Sequence, residues 1–262
     1  MRERAVRKEG QGPSINFFPE YGTYTVGDVS LVSVRSWDRA LHEVWRKKFY
    51  DDIVLLPELI TVAGKNISDG VQQGVEVTRA IKDLLQFSRQ QASATFVVGS
   101  PHFVSGVVRP YNGAFVIRNG EILGIGHKRS GSFLEESSFT MDEAQPSLKI
   151  GDANLLICSD LVEAVSPEPD IPREQLIDPS ARRLLVISCW GIGMNPLVPE
   201  DIVGTQEEIN DYYQRSLQYA LEQTFKNHPN IQEIFVCDRA PTSPDALKNR
   251  VATVPTSAYA RR

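Results

Sequence analysis

Short apolar runs alternate with helical patterns along the first part of the chain. Residues 27–35 (GDVSLVSVR) alternate enough to predict a strand, and Ser36 then opens a helical pattern. This pattern places large apolar side chains four residues apart, at Trp37, Leu41, Trp45 and Phe49. Residues 53–58 (IVLLPE) contain a short, continuous apolar run that ends at Pro57. Such a run is typical of a strand buried on both faces. A β–α–β unit is therefore predicted.

The next segment adds a second helix and a hairpin. The helix is predicted after Asp69, with apolar residues on one side at Val71, Val75, Ile81, Leu84 and Leu85. A strand follows at 95–100 (TFVVGS). Asn119 and Gly120 then separate two apolar runs, which is the pattern of a hairpin with a type I′ turn. The middle of the chain is therefore expected to contain antiparallel strands.

The second half of the chain also contains both kinds of element. Further apolar runs predict strands at 154–159, 184–190 and 234–238. Thr205 and Glu208 form a capping box for a helix that extends to about Lys226. These patterns predict an α/β protein with mixed sheets in layers, in which polar residues at the ends of buried strands can form a site.

Composition narrows the class of protein. The 262 residues are 41% hydrophobic and 23% charged, which suits one folded core, and no repeat divides the chain. The net charge of −5 argues against nucleic acid or an anionic membrane as partner. The basic residues 1–8 are not followed by an apolar stretch, and no run approaches the roughly 18 apolar residues of a membrane helix. We therefore expect a soluble, cytoplasmic protein.

Three cysteines are too few for a disulfide framework, which favours a reducing compartment: Cys158, Cys189 and Cys237. At least one of them must be a free thiol. The histidines lack metal-ligand spacing, and neither a CxxC nor an HExxH motif occurs, so no metal site is predicted. Cys189 and Cys237 are interpreted as small buried residues.

Three reactive side chains each close an apolar strand. Glu58 ends IVLLPE, Lys128 ends EILGIGHK, and Cys158 ends NLLIC. Each could be explained by a structural ion pair or by simple exposure, because a charge buried alone is costly. Together they provide a thiol nucleophile, a base that can take its proton and a cation that can stabilise an oxyanion. The set is therefore more informative than any of its members.

The chain resembles the nitrilase, or carbon–nitrogen hydrolase, superfamily, which has a Glu–Lys–Cys triad in this order. The matching segments are LLPEL, NGAFVIRNGEILGIGHK, LLICSDL and LLVISCWG, together with a helix around RSLQYALEQ. The resemblance covers residues 27–240 and implies a four-layer α-β-β-α sandwich. Residues 1–26 are then a tail, and residues 241–262 a diverged C-terminal segment.

The resemblance also implies residue roles. Glu58 would be the general base, Cys158 the nucleophile and Lys128 the stabiliser of the tetrahedral intermediate. The backbone N–H of Ser159 would complete the oxyanion hole. Asp160 is interpreted as a residue that orders the turn after the nucleophile.

Two further positions are candidates for the site. Many members have a second glutamate between the lysine and the cysteine, for which Glu136 is the candidate. Glu135 and a merely solvated acidic pair are the alternatives. Trp190 is a candidate for lining the substrate pocket, with a core tryptophan as the equal alternative.

The implied reaction is cleavage of a small-molecule amide through a cysteine thioester, without metal or cofactor. A nitrile would pass through a thioimidate instead. The resemblance further implies a homodimer or a higher homo-oligomer. The alternative from another class is a catalytically silent binding or scaffold protein with the same fold.

The sequence departs from the family pattern at three places. His127 stands where arginine usually precedes the lysine, so a Cys–His hydrolase is an alternative, although neighbouring strand residues face opposite ways. The proline-rich segment 163–180 is read either as a substrate-side lid or as an irregular surface loop. The closing strands of the family are not recognisable after Asp238.

Overall fold

Two β-sheets contain most of the regular structure. The computed structural model describes residues 13–17, 21–50, 52–63, 70–131, 138–188 and 219–238. One sheet has the order β2-β3-β4-β5-β6-β7. Its strands are β2 (Gly22–Val26), β3 (Val29–Ser33), β4 (Ile53–Leu56), β5 (Thr95–His102), β6 (Tyr111–Arg118) and β7 (Glu121–His127). The predicted strands at 27–35, 53–58 and 95–100 are therefore present.

This six-stranded sheet is mixed. β3, β4 and β5 run parallel, while β2, β6 and β7 pair antiparallel with their neighbours. The β6–β7 hairpin turns at Asn119 and Gly120, whose φ angles are 49° and 78°. Positive φ at both central residues is the requirement of a type I′ turn, so the predicted hairpin is confirmed.

The other sheet has five strands in the order β1-β11-β10-β9-β8. They are β1 (Ser14–Phe17), β8 (Leu148–Ile150), β9 (Ala153–Ile157), β10 (Arg183–Ser188) and β11 (Glu233–Asp238). All neighbouring strands are parallel except β8 and β9. The three predicted strands of this half are β9, β10 and β11.

Helices cover the outer face of each sheet. They are α1 (Trp37–Arg46), α2 (Gly70–Gln90), α3 (Asp160–Val165), α4 (Arg173–Leu176) and α5 (219–227). α1 and α2 pack on the six-stranded sheet, and the other three pack on the five-stranded sheet. Within the described part of the chain, every helix is too short or too polar to span a lipid bilayer.

Alternate residues of the central strands enter different cores. Leu55 faces the other sheet, where it joins a core with Leu155 and Phe235. Leu56, the next residue, faces outward into the core formed with α1 and α2. Burial on both faces explains why these strands are continuous apolar runs. The result is the predicted α-β-β-α sandwich with mixed sheets.

Edge strands were not apparent in the sequence. β1 and β2 lie within residues 1–26, which are predicted from the sequence to be a tail. Every residue of β2 is only half-buried, so the segment lacks an apolar run. β1 is a four-residue strand that pairs with distant β11. The division into tail, domain and C-terminal segment stays a prediction.

Part of the proline-rich segment 163–180 packs against the outer face of the five-stranded sheet. It contains α4, and its apolar residues Ile171, Leu176 and Ile177 are buried against the five-stranded sheet. The side chain of Asn154 on β9 bonds both to the Leu176 carbonyl and, through its oxygen, to the Asp178 N–H. The segment therefore belongs to the outer helical layer.

Candidate active site

Glu58 lies just beyond the end of β4. Leu59, which follows it, has a left-handed backbone with φ of 52°, and residues Ile60–Val62 then form a short 3₁₀ turn. Thr61 in this turn hydrogen-bonds Ser100 of β5, with 2.6 Å between the hydroxyl oxygens. The chain therefore reverses sharply at the strand end, and the Glu58 side chain is completely buried.

Gly99 allows β5 to approach this reversal closely. A Cβ atom at Gly99 would lie 2.4 Å from Cα of Glu58 and 2.5 Å from the carbonyl oxygen of Pro57. Side chains do not tolerate contacts this short, and both contacting atoms belong to the backbone. The position of Glu58 therefore depends on the absence of a side chain at residue 99.

Glu58 and Lys128 form a buried ion pair, with 2.9 Å between Nζ of Lys128 and Oε1 of Glu58. Nδ2 of Asn112 on β6 donates to the same oxygen at 2.6 Å. All three side chains are fully buried. Burial of either charge alone would cost several kcal/mol, so each charged group stabilises the other in this interior.

Cys158 occupies a tight turn between β9 and α3. Its φ is 47°, a left-handed conformation that is uncommon for a residue with a side chain. Its N–H donates to the carbonyl of Ile187 on β10 at 2.9 Å, and its own carbonyl accepts from Leu161 at 3.0 Å. Cys158 is half-buried. A strained strand-to-helix turn of this kind presents a side chain at the sheet end.

Contacts between the segments after Lys128 and after Cys158 join the two sheets. Asp160 accepts from the backbone N–H groups of Arg129 and Ser130 at 2.9 and 3.0 Å. Its other oxygen pairs with the Arg129 guanidinium at 3.2 Å. The Ser159 hydroxyl donates to the Ser130 carbonyl. Residues 129–130 are therefore fixed against the two residues that follow Cys158.

Ser159 and Asp160 lie at the start of α3, directly after Cys158. Within the part of the chain that the structure describes, the Ser159 N–H donates to no acceptor. This N–H belongs to the start of α3, where backbone donors lack partners inside the helix. Asp160 is buried and orders the turn by its three contacts with residues 129–130. The oxyanion role of Ser159 stays a prediction.

His127 faces away from Lys128. Its imidazole contacts Asp142 and His102, each at 2.8 Å. His102 in turn packs edge-on against Phe115, a residue of the outer core beneath α1 and α2. The ring therefore lies on the outer face of the six-stranded sheet, and nothing in this geometry favours His127 as a base for Cys158.

Several predicted residues lie outside the described residues. These are Glu135, Glu136, Cys189, Trp190, the capping box at Thr205 and Glu208, and the segment 241–262. Cys237 is described and lies between the sheets, where burial raises the pKa of its thiol far above the ordinary value. It is therefore unreactive compared with an accessible thiol.

Sequence reasoning missed Asn112 and Gly99. Asn112 interrupts an otherwise apolar strand, and a polar side chain inside a buried strand requires a partner. That signal was available, but the identity of the partner depends on how β4, β6 and β7 are arranged. Gly99 was visible as a glycine inside a strand, which often marks a close backbone approach.

Replacing Asn112 tests its contact with Glu58. Asn112→Ala should lower the free energy of unfolding by about 1.5–3 kcal/mol, because it removes a buried hydrogen bond to a charged group. Urea denaturation measures the change. In the control, Asn230→Ala removes an exposed side-chain hydrogen bond to Pro179 and should cost about 0.5 kcal/mol or less. Equal losses would contradict a special role for Asn112.

An open groove of about 850 Å³ lies elsewhere, between α2 and the ends of β5 and β6. Val77, Ile81, His102, Phe103 and Phe115 are among its lining residues, and none of Glu58, Lys128 and Cys158 lines it. The described residues contain no cluster of His, Cys, Asp and Glu side chains that could hold a metal ion. The candidate site is therefore defined by its polar side chains and not by this groove.

Comparison with known proteins supports the same architecture. No model of a protein family and no curated protein sequence matches the chain. A cysteine-to-alanine mutant of the Nesterenkonia AN1 amidase from the nitrilase superfamily matches with a TM-score of 0.52 and 15% identity, over 89% of this chain and 80% of that protein.

Two further solved structures are similar. Saccharomyces cerevisiae Nit3, a member of branch 10 of the nitrilase superfamily, matches with a TM-score of 0.50 and 13% identity, over 89% of this chain and 96% of Nit3. The glutamine-dependent NAD+ synthetase of Acinetobacter baumannii has a TM-score of 0.49 and 17% identity over 74% of this chain, which spans only 36% of that synthetase. The likeness to the amidase and to Nit3 shows that the chain has the fold of the nitrilase superfamily.

Proposed function

We propose that the chain is a thiol hydrolase that cleaves a non-peptide carbon–nitrogen bond, an amide, in a small molecule. The observation that carries this proposal is the fully buried Glu58–Lys128 pair. It is linked through residues 129–130 to the strained turn that bears Cys158. A base, a cation and a thiol at adjoining strand ends are the groups that acyl transfer through cysteine requires.

In the proposed reaction, Glu58 takes the thiol proton as Cys158 sulfur attacks the amide carbon. The ammonium of Lys128 and the N–H of Ser159 stabilise the oxyanion of the tetrahedral intermediate. The carbon–nitrogen bond then breaks, the nitrogen receives the proton from Glu58, and ammonia or an amine leaves. A thioester to Cys158 remains.

Water completes the cycle. Glu58 accepts a proton from the attacking water, whose oxygen bonds to the thioester carbon. The carbon–sulfur bond breaks, the sulfur is reprotonated and the carboxylic acid leaves. Both half-reactions use the same base and the same cation, so the buried pair serves proton transfer and charge stabilisation.

Selective alkylation tests the proposed nucleophile. Iodoacetamide should modify Cys158 in the folded protein, detected by peptide mass spectrometry, and the rate should fall in Glu58→Gln. Glu143→Gln, which also removes a carboxylate but at an exposed position, should alkylate like the wild type. Preferential modification of Cys189 or Cys237 would reject the site.

Turnover separates the hydrolase from a silent protein with the same fold. The purified chain is incubated with a panel of small linear amides, and ammonia release is measured beside Cys158→Ser. Release that is lost in Cys158→Ser supports the hydrolase. Rapid alkylation of Cys158 without release from any amide would favour the binding or scaffold protein.

A further inference from the structure

His127 lies at the centre of a cluster on the outer face of β6 and β7. Its Nδ1 is 2.8 Å from Oδ2 of Asp142, and its Nε2 is 2.8 Å from Nδ1 of His102. Tyr111 stacks on the imidazole with ring centroids 4.2 Å apart and planes inclined by 9°. Only 10% of the His127 side chain is exposed. The ring is therefore held at both nitrogens and on one face.

Both side-chain contacts of His127 are hydrogen bonds. Burial, and next the electrostatic interaction with His127, lower the pKa of His102 below its ordinary value, which favours its neutral imidazole. In the contact between the rings, either Nδ1 of His102 or Nε2 of His127 is the donor and the other is the acceptor. Nδ1–H of His127 donates to the Asp142 carboxylate, so each contact contains one proton.

The two imidazoles meet above a glycine. Gly113 of β6 lies opposite His127 and also opposite Ser100, and a Cβ added to it would be 3.3 Å from Cβ of His102. A side chain at residue 113 would crowd the space between the rings. This arrangement of β5, β6 and β7 therefore permits the contact between His102 and His127.

The cluster and the candidate site are built from neighbouring residues of β6 and of the extended end of β7, where the Lys128 N–H donates to the Asn112 carbonyl. Tyr111 of the cluster precedes Asn112 of the site, and His127 precedes Lys128. Successive residues of an extended strand project from opposite faces, so one face carries the cluster and the other carries the polar contacts of Glu58. Rotation of His127 about the strand axis would therefore turn Lys128 as well.

A second set of contacts fixes the open edge of β7. The side chain of Gln145 accepts from the His127 N–H at 2.6 Å and donates to the Ile125 carbonyl at 3.0 Å. The Asp142 N–H donates to the Lys128 carbonyl at 3.2 Å. Asp142 thus binds His127 by its side chain and Lys128 by its backbone, which links the ring to the peptide of the next residue.

We propose that His127 is a positioning residue. Asp142 and His102 hold its ring, and the held ring fixes the backbone at Lys128. The Lys128 ammonium is thereby kept where it pairs with Glu58 and acts on Cys158. This inference rests on the proposed hydrolase function. It assigns a role to the residue at which the sequence departs from the arginine usual in the family. His127 acts through Lys128 and touches no reacting atom.

The pH dependence of Cys158 alkylation is the measurement that tests this role, because a nearby ammonium favours the thiolate. In His127→Phe the aromatic ring can still stack on Tyr111, but both side-chain hydrogen bonds are lost. The alkylation midpoint, which is the pH at which the rate of Cys158 alkylation is half-maximal, should rise by about one pH unit. Alkylation at pH 7 then becomes about tenfold slower. Asp142→Ala should shift it in the same direction.

Two variants serve as controls. Asp142→Asn keeps a side-chain oxygen that accepts from His127. Unlike Asp142→Ala, it should therefore have an alkylation midpoint near that of the wild type. Leu123→Ala changes an exposed residue of the same strand and should leave the midpoint unchanged. The melting temperature of every variant is recorded, because a merely structural residue would lower it without moving the midpoint.

The inference and the proposed function fail in different ways. In one outcome, Lys128→Met shifts the alkylation midpoint of Cys158 but His127→Phe has the wild-type midpoint. The positioning role is then wrong and the hydrolase proposal stands. If Lys128→Met also leaves the midpoint unchanged, both proposals are overturned. A further shift of His127→Phe/Lys128→Met beyond Lys128→Met alone would show that His127 acts independently, which also rejects the inference.

Discussion

Lys128→Met should lower the free energy of unfolding by about 3–5 kcal/mol, because it leaves the carboxylate of Glu58 buried without its cation. Lys128 and Glu58 are both fully buried, and their charged atoms are 2.9 Å apart. Asn112 still donates to the same oxygen but carries no charge. Urea denaturation of the variant measures the loss, which is large against a typical total stability of about 5–15 kcal/mol.

The double variant Glu58→Gln/Lys128→Met separates stability from chemistry. Removing both charges should recover much of the stability, since neither buried side chain then carries a charge. Cys158 alkylation at pH 7 should stay at least about tenfold slower than in the wild type, because the base and the cation are both absent. Additive losses of stability in the double variant would show that the two charges are not coupled.

The fold was largely predictable because burial on both faces leaves a simple pattern in the sequence. Leu55 and Leu56 enter different cores, so the strand is apolar throughout and easily recognised. Asn119 and Gly120 identify a hairpin because few residues accept positive φ. Edge strands such as β2 were missed because half-buried residues produce no such pattern.

The candidate site was predictable only in part. Glu58, Lys128 and Cys158 could be selected because each ends an apolar strand, where a reactive group is unexpected. The partners of these residues could not be selected in this way. Asn112 and Glu58 are 54 positions apart, and Arg129 and Asp160 are 31 apart, so their contacts depend on sheet order and on the packing of the two sheets.

His127 illustrates the same limit. Alternation along β7 predicts that His127 and Lys128 face opposite ways, and the structure agrees. The sequence does not reveal that His102 from β5 and Asp142 from the segment after β7 converge on the imidazole. Strand pairing creates that cluster, because β6 brings β5 and β7 to either side of Gly113.

Gly99→Ala should be strongly destabilising although it adds a single methyl group. The new Cβ would lie 2.4 Å from Cα of Glu58 and 2.5 Å from the carbonyl oxygen of Pro57. Backbone atoms cannot move aside as a flexible side chain can, so β4 and β5 must separate at the site. We expect a loss of at least about 1–3 kcal/mol in the free energy of unfolding, measured by urea denaturation.

The displacement should also reduce reactivity, because it moves the residue proposed to take the thiol proton. Cys158 alkylation in Gly99→Ala should therefore be slower at pH 7 under conditions in which the variant is folded. Gly74→Ala is the matched control: its Cβ meets nothing within 4 Å in α2, and alanine favours a helix by about 1 kcal/mol over glycine. It should be as stable as the wild type or more so, with unchanged alkylation.

The two measurements on Gly99→Ala together distinguish packing from site geometry. A loss of stability with slower alkylation supports a backbone approach that sets the position of Glu58. A loss of stability with wild-type alkylation would mean that β4 and β5 can separate without moving the carboxylate, so that Lys128 and Asn112 alone hold it. Unchanged stability would contradict the close approach itself, because no rearrangement of side chains can relieve a contact between a Cβ and two backbone atoms.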